Sequence, residues 1–295
     1  MTKSAASRDA EVQKYLDTGD HDSAFAGWPG DNFIDSARKG SATLREALNA
    51  QVRSRTASRK LSPAAASRPV DGLTLTKVSP MVAGLFPQAE APAVLGMLER
   101  SVVFLTPANI EEVLRTTRWL RTAWSLANLY LVSVGAERLS DEAPEIVGLS
   151  QETTCYVSPS YFDEQDPFAD FVVHEAAHVF HNCKRGTIGL PQTRRREWLL
   201  DVDFGRRETF AYACEAYSRI AALATTAKGR CEALARHADG PLPGDPSVDV
   251  DEYFDILGEA AQARNGWKRI LRRCAPPESS NAAMDRWRLP PAAGL

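Results

Sequence analysis

The chain has 295 residues, which is enough for one large domain or two small ones with a sizeable core. Its apolar fraction of 44% and its charged fraction of 25% are those of an ordinary soluble globular protein. The formal net charge of −3 is close to neutral, so it provides no general attraction to nucleic acid, and we expect no nucleic-acid partner.

The apolar stretches and the cysteines of the sequence indicate in which cellular compartment the protein is expected. The longest apolar stretches, 94–105 and 123–134, fall short of the ~20 residues of a membrane helix. No apolar run follows the N-terminal charge, so we expect neither a secretory signal nor a membrane partner. The five cysteines form no CxxC pair, which favours reduced thiols in a cytoplasmic protein, with a single disulfide as the alternative.

The sequence pattern changes near residue 75. Residues 1–75 are weakly patterned, and the stretch 54–69, rich in Ser, Ala, Arg and Pro, is typical of a solvated linker. Its basic residues could instead contact an anionic partner. We expect a less ordered N-terminal region at 1–75 and the main domain at 76–295.

Helices and short strands are predicted in order along the main domain. A helix is predicted over 106–132. It begins with Thr-Pro, a typical cap and first helical residue, and its apolar residues recur every three or four positions. β-branched and aromatic residues predict strands over 153–158 and 198–204. Further long helices are predicted over 206–236 and 250–273. The expected fold class is therefore α+β and mostly helical.

Another helix is predicted over 168–183, after the cap and proline of Asp166-Pro167. Its centre reads His174-Glu175-Ala-Ala-His178. At 3.6 residues per turn, the two histidines lie one turn apart on one face, where both can reach a single metal ion.

The same motif offers a base for metal-assisted chemistry. Glu175 is rotated by about 100° from the histidines, so it lies beside the ion, where a base can take a proton from a metal-bound water. The rest of the helix surface is largely apolar, so these polar groups would be buried and would need partners, and a metal supplies one. Two histidines that hydrogen-bond locally are the alternative.

A catalytic zinc takes three protein ligands, so a third must come from elsewhere in the chain. His181 lies almost a turn past His178, which is too far along the helix axis, and Lys184 stands where the metzincin pattern requires histidine. A downstream helix carries Glu-Thr-Phe-Ala at 208–211. A His-Glu-x-x-His helix followed some tens of residues later by a Glu-x-x-Ala helix resembles the gluzincin group of zinc metallopeptidases.

This resemblance covers residues 153–219 and implies a zincin-like domain. It implies that Zn²⁺ is bound by His174, His178 and Glu208, the last on the downstream helix. Glu215 competes for the same role, but it is two turns or about 10 Å from Glu208, so only one of them can reach the ion. In a third reading, both glutamates belong to a solvated stripe and neither binds metal.

The resemblance also bears on the substrate and on the transition state. It implies that the strand over 153–158 is an edge strand that holds an extended peptide. Tyr212 occupies a position where many members of the group carry Asp or Asn, and it is our candidate for a hydrogen bond to the developing oxyanion. Tyr156, Tyr217 and His181 are further candidates, and packing is the alternative for all four.

The resemblance implies a zinc-dependent hydrolase that acts on a peptide or protein. Glu175 would take the proton of a zinc-activated water and return it to the leaving amine. One alternative is a zincin-like metal-binding protein or effector without peptidase activity. The other is a helical interaction protein in which the motif is accidental. The oligomeric state is left open.

Overall fold

The computed structural model of the chain describes residues 3–59, 72–143, 146, 148–151, 153–193 and 196–277. Within them it contains eleven α-helices and a three-stranded sheet, which confirms the mostly helical α+β class. No described helix is both long enough and apolar enough to cross a membrane. In chain order the elements are α1 (Lys3–Thr18), α2 (Phe33–Thr56), α3 (Leu73–Leu85), α4 (Ala91–Ser101), β1 (Val102–Phe104), α5 (Ile110–Thr116), α6 (Leu120–Ser133), β2 (Gly148–Gln151), β3 (Thr154–Val157), α7 (Phe171–Asn182), α8 (Arg207–Leu223), α9 (Ala227–Ala238), α10 (Val250–Gln262) and α11 (Gly266–Cys274).

The three strands form a mixed sheet in the order β1-β3-β2. β1 runs parallel to β3, with Val103 opposite Tyr156, and β2 runs antiparallel to β3, with Leu149 opposite the same tyrosine. The strand predicted over 153–158 is confirmed as β3. The expectation that it forms an edge is wrong, because β1 and β2 pair along its two sides, so the edge strand beside α7 is β2.

The sheet separates two hydrophobic cores. Neighbouring strand residues point to opposite faces, so Cys155 and Val157 face the main core, whereas Tyr156 faces the second core. The main core is built from α3, α4, α7, α8, α10 and α11, and the second core from α1, α2, α5 and α6. The sheet therefore links the N-terminal helices to the helix that carries the His-Glu-x-x-His motif.

The described residues before position 60 form α1 and α2, which the weak sequence pattern does not predict. Asn32 caps α2, since its side chain accepts a hydrogen bond from the Asp35 N–H. Leu44, Leu48 and Val52 recur at four-residue steps and form the buried face of α2. The greater part of the expected linker lies outside the described residues, and the domain division stays a prediction.

Three predicted long helices are each divided in two. The Arg45 guanidinium binds the carbonyl oxygens of Leu114 and Thr117, and α5 ends between these two residues. Thr226 and Asn265 each accept a backbone hydrogen bond as an N-cap, and α9 and α11 start after them as new helices. These N-caps and the contacts of Arg45 therefore end and restart helices at positions where the apolar pattern alone predicts one continuous helix.

The strand predicted over 198–204 is wrong. The Leu199 and Leu200 N–H groups bond the carbonyl oxygens of Cys183 and Phe180 at the end of α7. The last carbonyl groups of a helix have no partner within the helix, so this segment satisfies them instead of pairing along a strand.

Leu48 tests whether α2 is an integral part of the fold. Its side chain is 0% exposed in the second core, whereas Ile34 on the same helix is 77% exposed. We predict that Leu48→Ala lowers the free energy of unfolding by about 2–5 kcal/mol, while the matched control Ile34→Ala changes it by less than about 0.5 kcal/mol. Urea denaturation followed by circular dichroism measures both, and equally small effects would contradict the packing of α2.

Candidate metal centre

Helix α7 is anchored where it begins. It starts at Phe171, later than the sequence predicts, because Asp166 closes a separate turn by accepting a hydrogen bond from the Phe168 N–H. The residue before the helix, Asp170, is buried and forms an ion pair of 2.6 Å with Lys77 on α3. This ion pair holds the start of α7 against the main core.

The two faces of α7 differ in polarity. The apolar face is fully buried in the main core, and the polar face is directed towards α8. Small residues, Ala177 on α7 and Ala211 on α8, lie in the same core and let the two helices approach closely. The fully buried apolar residues of α7 are Val172, Val173, Ala176, Ala177, Val179 and Phe180.

The predicted ligands His174, His178 and Glu208 come together between α7 and α8. The Nε2 atoms of the two histidines are 3.2 Å apart. Oε2 of Glu208 lies 3.4 Å from Nε2 of His178 and 3.7 Å from Nε2 of His174. With bonds of about 2.0–2.1 Å, two ligands of a tetrahedral zinc are about 3.3 Å apart, so the donor atoms have the spacing that the ion requires.

The charges of the three groups are strongly coupled. Burial lowers the pKa of His174, but hydrogen bonds with Glu208 and Glu215 outweigh it and raise that pKa to about 10. Hydrogen bonds with His174 and His178 in turn hold the pKa of the Glu208 carboxyl well below its usual range. The cluster therefore favours positive charge at its centre, which a divalent cation would supply to all three donors together.

Glu215 lies behind the histidine and not on the ligand side. Its Oε2 is 3.0 Å from Nδ1 of His174, and its Oε1 accepts a hydrogen bond from the Asp170 N–H. At 5% exposure Glu215 does not belong to a solvated stripe, whereas metal binding by either glutamate stays a prediction. A carboxylate on the outer nitrogen of a histidine can fix the ring and its tautomer, so Glu215 lies where it can orient His174, whereas Glu208 lies with the three donor atoms.

Glu175, the predicted base, lies in the wall of the site next to strand β2. Its side chain is mostly buried and lines the same cleft as the two histidines. A Cβ atom at Gly148 would lie 2.5 Å from Oε1 of Glu175, so only glycine leaves room for the carboxylate. The Cys155 thiol also bonds the backbone carbonyl of Glu175, which joins α7 to β3.

The predicted oxyanion donors differ in their positions. The Tyr212 ring meets the His174 ring edge-on at 4.6 Å, and a backbone hydrogen bond links its hydroxyl to Gly244. Tyr156 belongs to the second core and Tyr217 packs on Trp267, so the structure does not bring either to the site. Tyr212 therefore stays a candidate.

His181, the fourth predicted donor, lines the cleft one turn beyond His178. Burial, with the neighbouring charges of His178 and Arg207, lowers the pKa of the His181 imidazole to about 3. The ring is therefore neutral, and it lies beside the three predicted ligands without belonging to that group.

A cleft of about 700 Å³ lies over the cluster, which is a size typical of ligand-binding sites. Its walls are β2, α7, the start of α8 and the loop between α9 and α10, which contributes Asp245 and Ser247. The sequence pattern does not reveal Gly148 or Asp245 as site residues, because each comes from a separate segment without a motif.

Comparison with known proteins gives no assignment for this chain. No protein-family model, no curated protein and no solved structure matches it. What the cleft can do follows from its own groups: two imidazoles and a carboxylate that point at one spot, and a second carboxylate beside them.

The two glutamates of α8 are expected to respond differently to substitution. Glu208→Ala removes a ligand atom and its charge, so we predict that stoichiometric zinc binding is lost. Glu215→Ala leaves all three ligands and removes only the partner of His174, so we predict affinity about 10- to 100-fold weaker. Zinc titration against a competing chelator measures both, and the assignment is wrong if Glu215→Ala has the larger effect.

Proposed function

We propose that this protein is a zinc-dependent hydrolase, a gluzincin-like metallopeptidase that cleaves peptide bonds with Glu175 as general base. The observation that carries the proposal is the spacing of the three donor atoms of His174, His178 and Glu208, 3.2 to 3.7 Å, close to the ligand spacing of a tetrahedral zinc ion. The contact of Glu215 with the outer nitrogen of His174 adds the second partner that metal-binding histidines have.

Each residue has a task that follows from its position. Bound zinc supplies a Lewis acid that lowers the pKa of a water molecule and polarises a carbonyl group. Glu175 takes the proton of the attacking water and returns it to the leaving amine. Because Gly148 and the surrounding wall confine its carboxylate, Glu175 acts from a fixed place. Glu215 keeps the His174 ring in its orientation.

Strand β2 is the natural place for the substrate backbone in this proposal. Within the described part of the chain it pairs with β3 alone, and Gly148 and Leu149 line the cleft. An extended peptide can add to a free strand edge through main-chain hydrogen bonds. We therefore propose β2, and not the strand predicted over 153–158, as the edge strand that holds the extended peptide. Tyr212 stays the candidate donor of a hydrogen bond to the oxyanion.

Two alternatives remain to be separated by experiment. A zincin-like metal-binding protein or effector would hold zinc without turnover, and an accidental motif in a helical interaction protein would hold none. The contact of Glu215 with the outer nitrogen of His174 weighs against an accidental motif, because metal-binding histidines usually have such a partner. The cytoplasmic location stays a prediction.

Glu175→Gln tests the proposed base. Glutamine has nearly the same shape but cannot accept the proton, so we predict that the variant keeps zinc and fold and loses turnover by about 10²- to 10⁴-fold. The matched control is Glu232→Gln on the exposed surface of α9, which should keep full activity. Peptide hydrolysis followed by mass spectrometry measures both variants, and unchanged hydrolysis by Glu175→Gln would remove Glu175 from the mechanism.

Gly148→Ala tests the position of the same carboxylate without removing it. The added methyl group would overlap the Glu175 side chain, so the carboxylate must move. Zinc content should be unchanged while kcat falls. If kcat stays at the wild-type value, the confinement of Glu175 by Gly148 plays no part in the reaction.

A further inference from the structure

One end of the cleft, beyond His178, is lined by a polar group of residues that the proposed hydrolysis does not use. Helix α7 contributes His181 and Asn182 there, and Arg207 comes from the first residue of α8. The Arg207 guanidinium lies 4.8 Å from the centre of the exposed Phe204 ring, at the rim of the cleft.

Two polar atoms in this group lack a partner. Nδ1 of His181 and Nε of Arg207 are both buried, and no described residue forms a hydrogen bond with either of them. The His181 side chain is only 5% exposed, so water does not solvate it freely. Buried polar groups are normally hydrogen-bonded, so these two atoms require a partner, which a water molecule, an ion or a substrate group can supply.

The charge at this end of the cleft is positive and uncompensated. Arg207 forms no ion pair with any part of the chain that the structure describes. The neighbouring Glu208 is directed at the two histidines, and Asp245 lies towards Tyr212, farther along α8. A guanidinium presents a fork of N–H groups that matches a carboxylate, so an anion of this shape fits here.

The distance between His178, a predicted metal ligand, and His181 indicates which part of a bound substrate could reach this end of the cleft. The rings of His178 and His181 are centred 5.3 Å apart. One residue of an extended chain spans about 3.3–3.6 Å. A carboxylate bound beside His181, at the end of the cleft that Arg207 also lines, therefore belongs one or two residues beyond the bond that is cleaved at the metal.

We propose that Arg207 and His181 form a carboxylate subsite that binds a substrate carboxylate one or two residues past the scissile bond. This inference rests on the proposed peptidase function. If the bound group is the C-terminal carboxylate of a peptide, the protein is a carboxypeptidase that removes one or two residues. The side chain of Asp or Glu supplies the same group, and the experiment separates the two sources.

Binding is tested first, without turnover. The Nε–H resonance of Arg207, identified by its loss in Arg207→Lys, is followed in ¹⁵N-labelled protein. N-acetylphenylalanine carries a terminal carboxylate, its amide carries none, and N-acetylaspartic acid α-amide carries only the side-chain carboxylate. We expect a saturable shift with the first compound and none with its amide, while the third compound reports on side-chain carboxylates. Equal responses to N-acetylphenylalanine and its amide, or no response to either carboxylate, overturn the subsite.

Cleavage is tested second, with one mixed pool of tetrapeptides made as free acids and as amides. We expect wild-type protein to cleave the acids within two residues of the C-terminus, and Arg207→Gln to raise KM for the acids by about 10- to 100-fold with little change for the amides. Arg272→Gln, an exposed arginine on α11, is the matched control and should behave as wild type. A preference for acids that survives in Arg207→Gln overturns the inference.

The two proposals can fail separately. If the Arg207 resonance responds to the carboxylate but no peptide is cleaved, Arg207 binds carboxylates, whereas the peptidase function and the place of this site relative to a scissile bond both fail. If acids and amides are cleaved alike, the peptidase function stands and the subsite fails.

Discussion

The close packing of two imidazoles and two carboxylates between α7 and α8 is the constraint on which the rest of the structure depends. The Nε2 atoms of His174 and His178 and Oε2 of Glu208 lie 3.2 to 3.7 Å apart, and Glu215 lies 3.0 Å from Nδ1 of His174. The two histidines and Glu215 have little access to water. Such groups are costly to bury unless each has a partner. The geometry meets this demand by directing three donor atoms at one spot and by giving His174 a carboxylate on its outer nitrogen.

The surrounding elements hold these groups in place. The Asp170–Lys77 ion pair anchors the start of α7, and the N–H of Asp170 also binds Glu215. On the opposite side, β2 brings Gly148 against Glu175, and β2 is itself paired with β3. Because the sheet packs on both cores, the second core, to which α1 and α2 belong, lies behind the strand that forms one wall of the cleft.

The sequence predicts those parts of the site that depend on local periodicity. Four-residue spacing places His174 and His178 on one face, and the structure brings Glu208 to them, although its role as a ligand stays a prediction. The sequence does not predict the contact between Glu215 and His174, because it depends on which nitrogen of His174 faces which glutamate of α8, and no spacing rule contains this.

The parts of the fold that the sequence does not predict are set by contacts between distant segments. β3 is central because β1 and β2 happen to pair on its two sides, and the segment after Trp198 caps α7 instead of forming a strand. Arg45 binds the end of α5 from another helix. Hydrophobic patterns describe single elements, so they do not carry this information.

The zinc content of the purified protein tests the central claim most directly. The protein is prepared without chelators and without a metal-affinity resin, and its metals are measured by elemental analysis beside the variant that combines His174→Ala with His178→Ala. The account predicts about one zinc per wild-type chain and almost none in the double variant. Wild-type protein without zinc, or a double variant that retains all of it, would contradict the account.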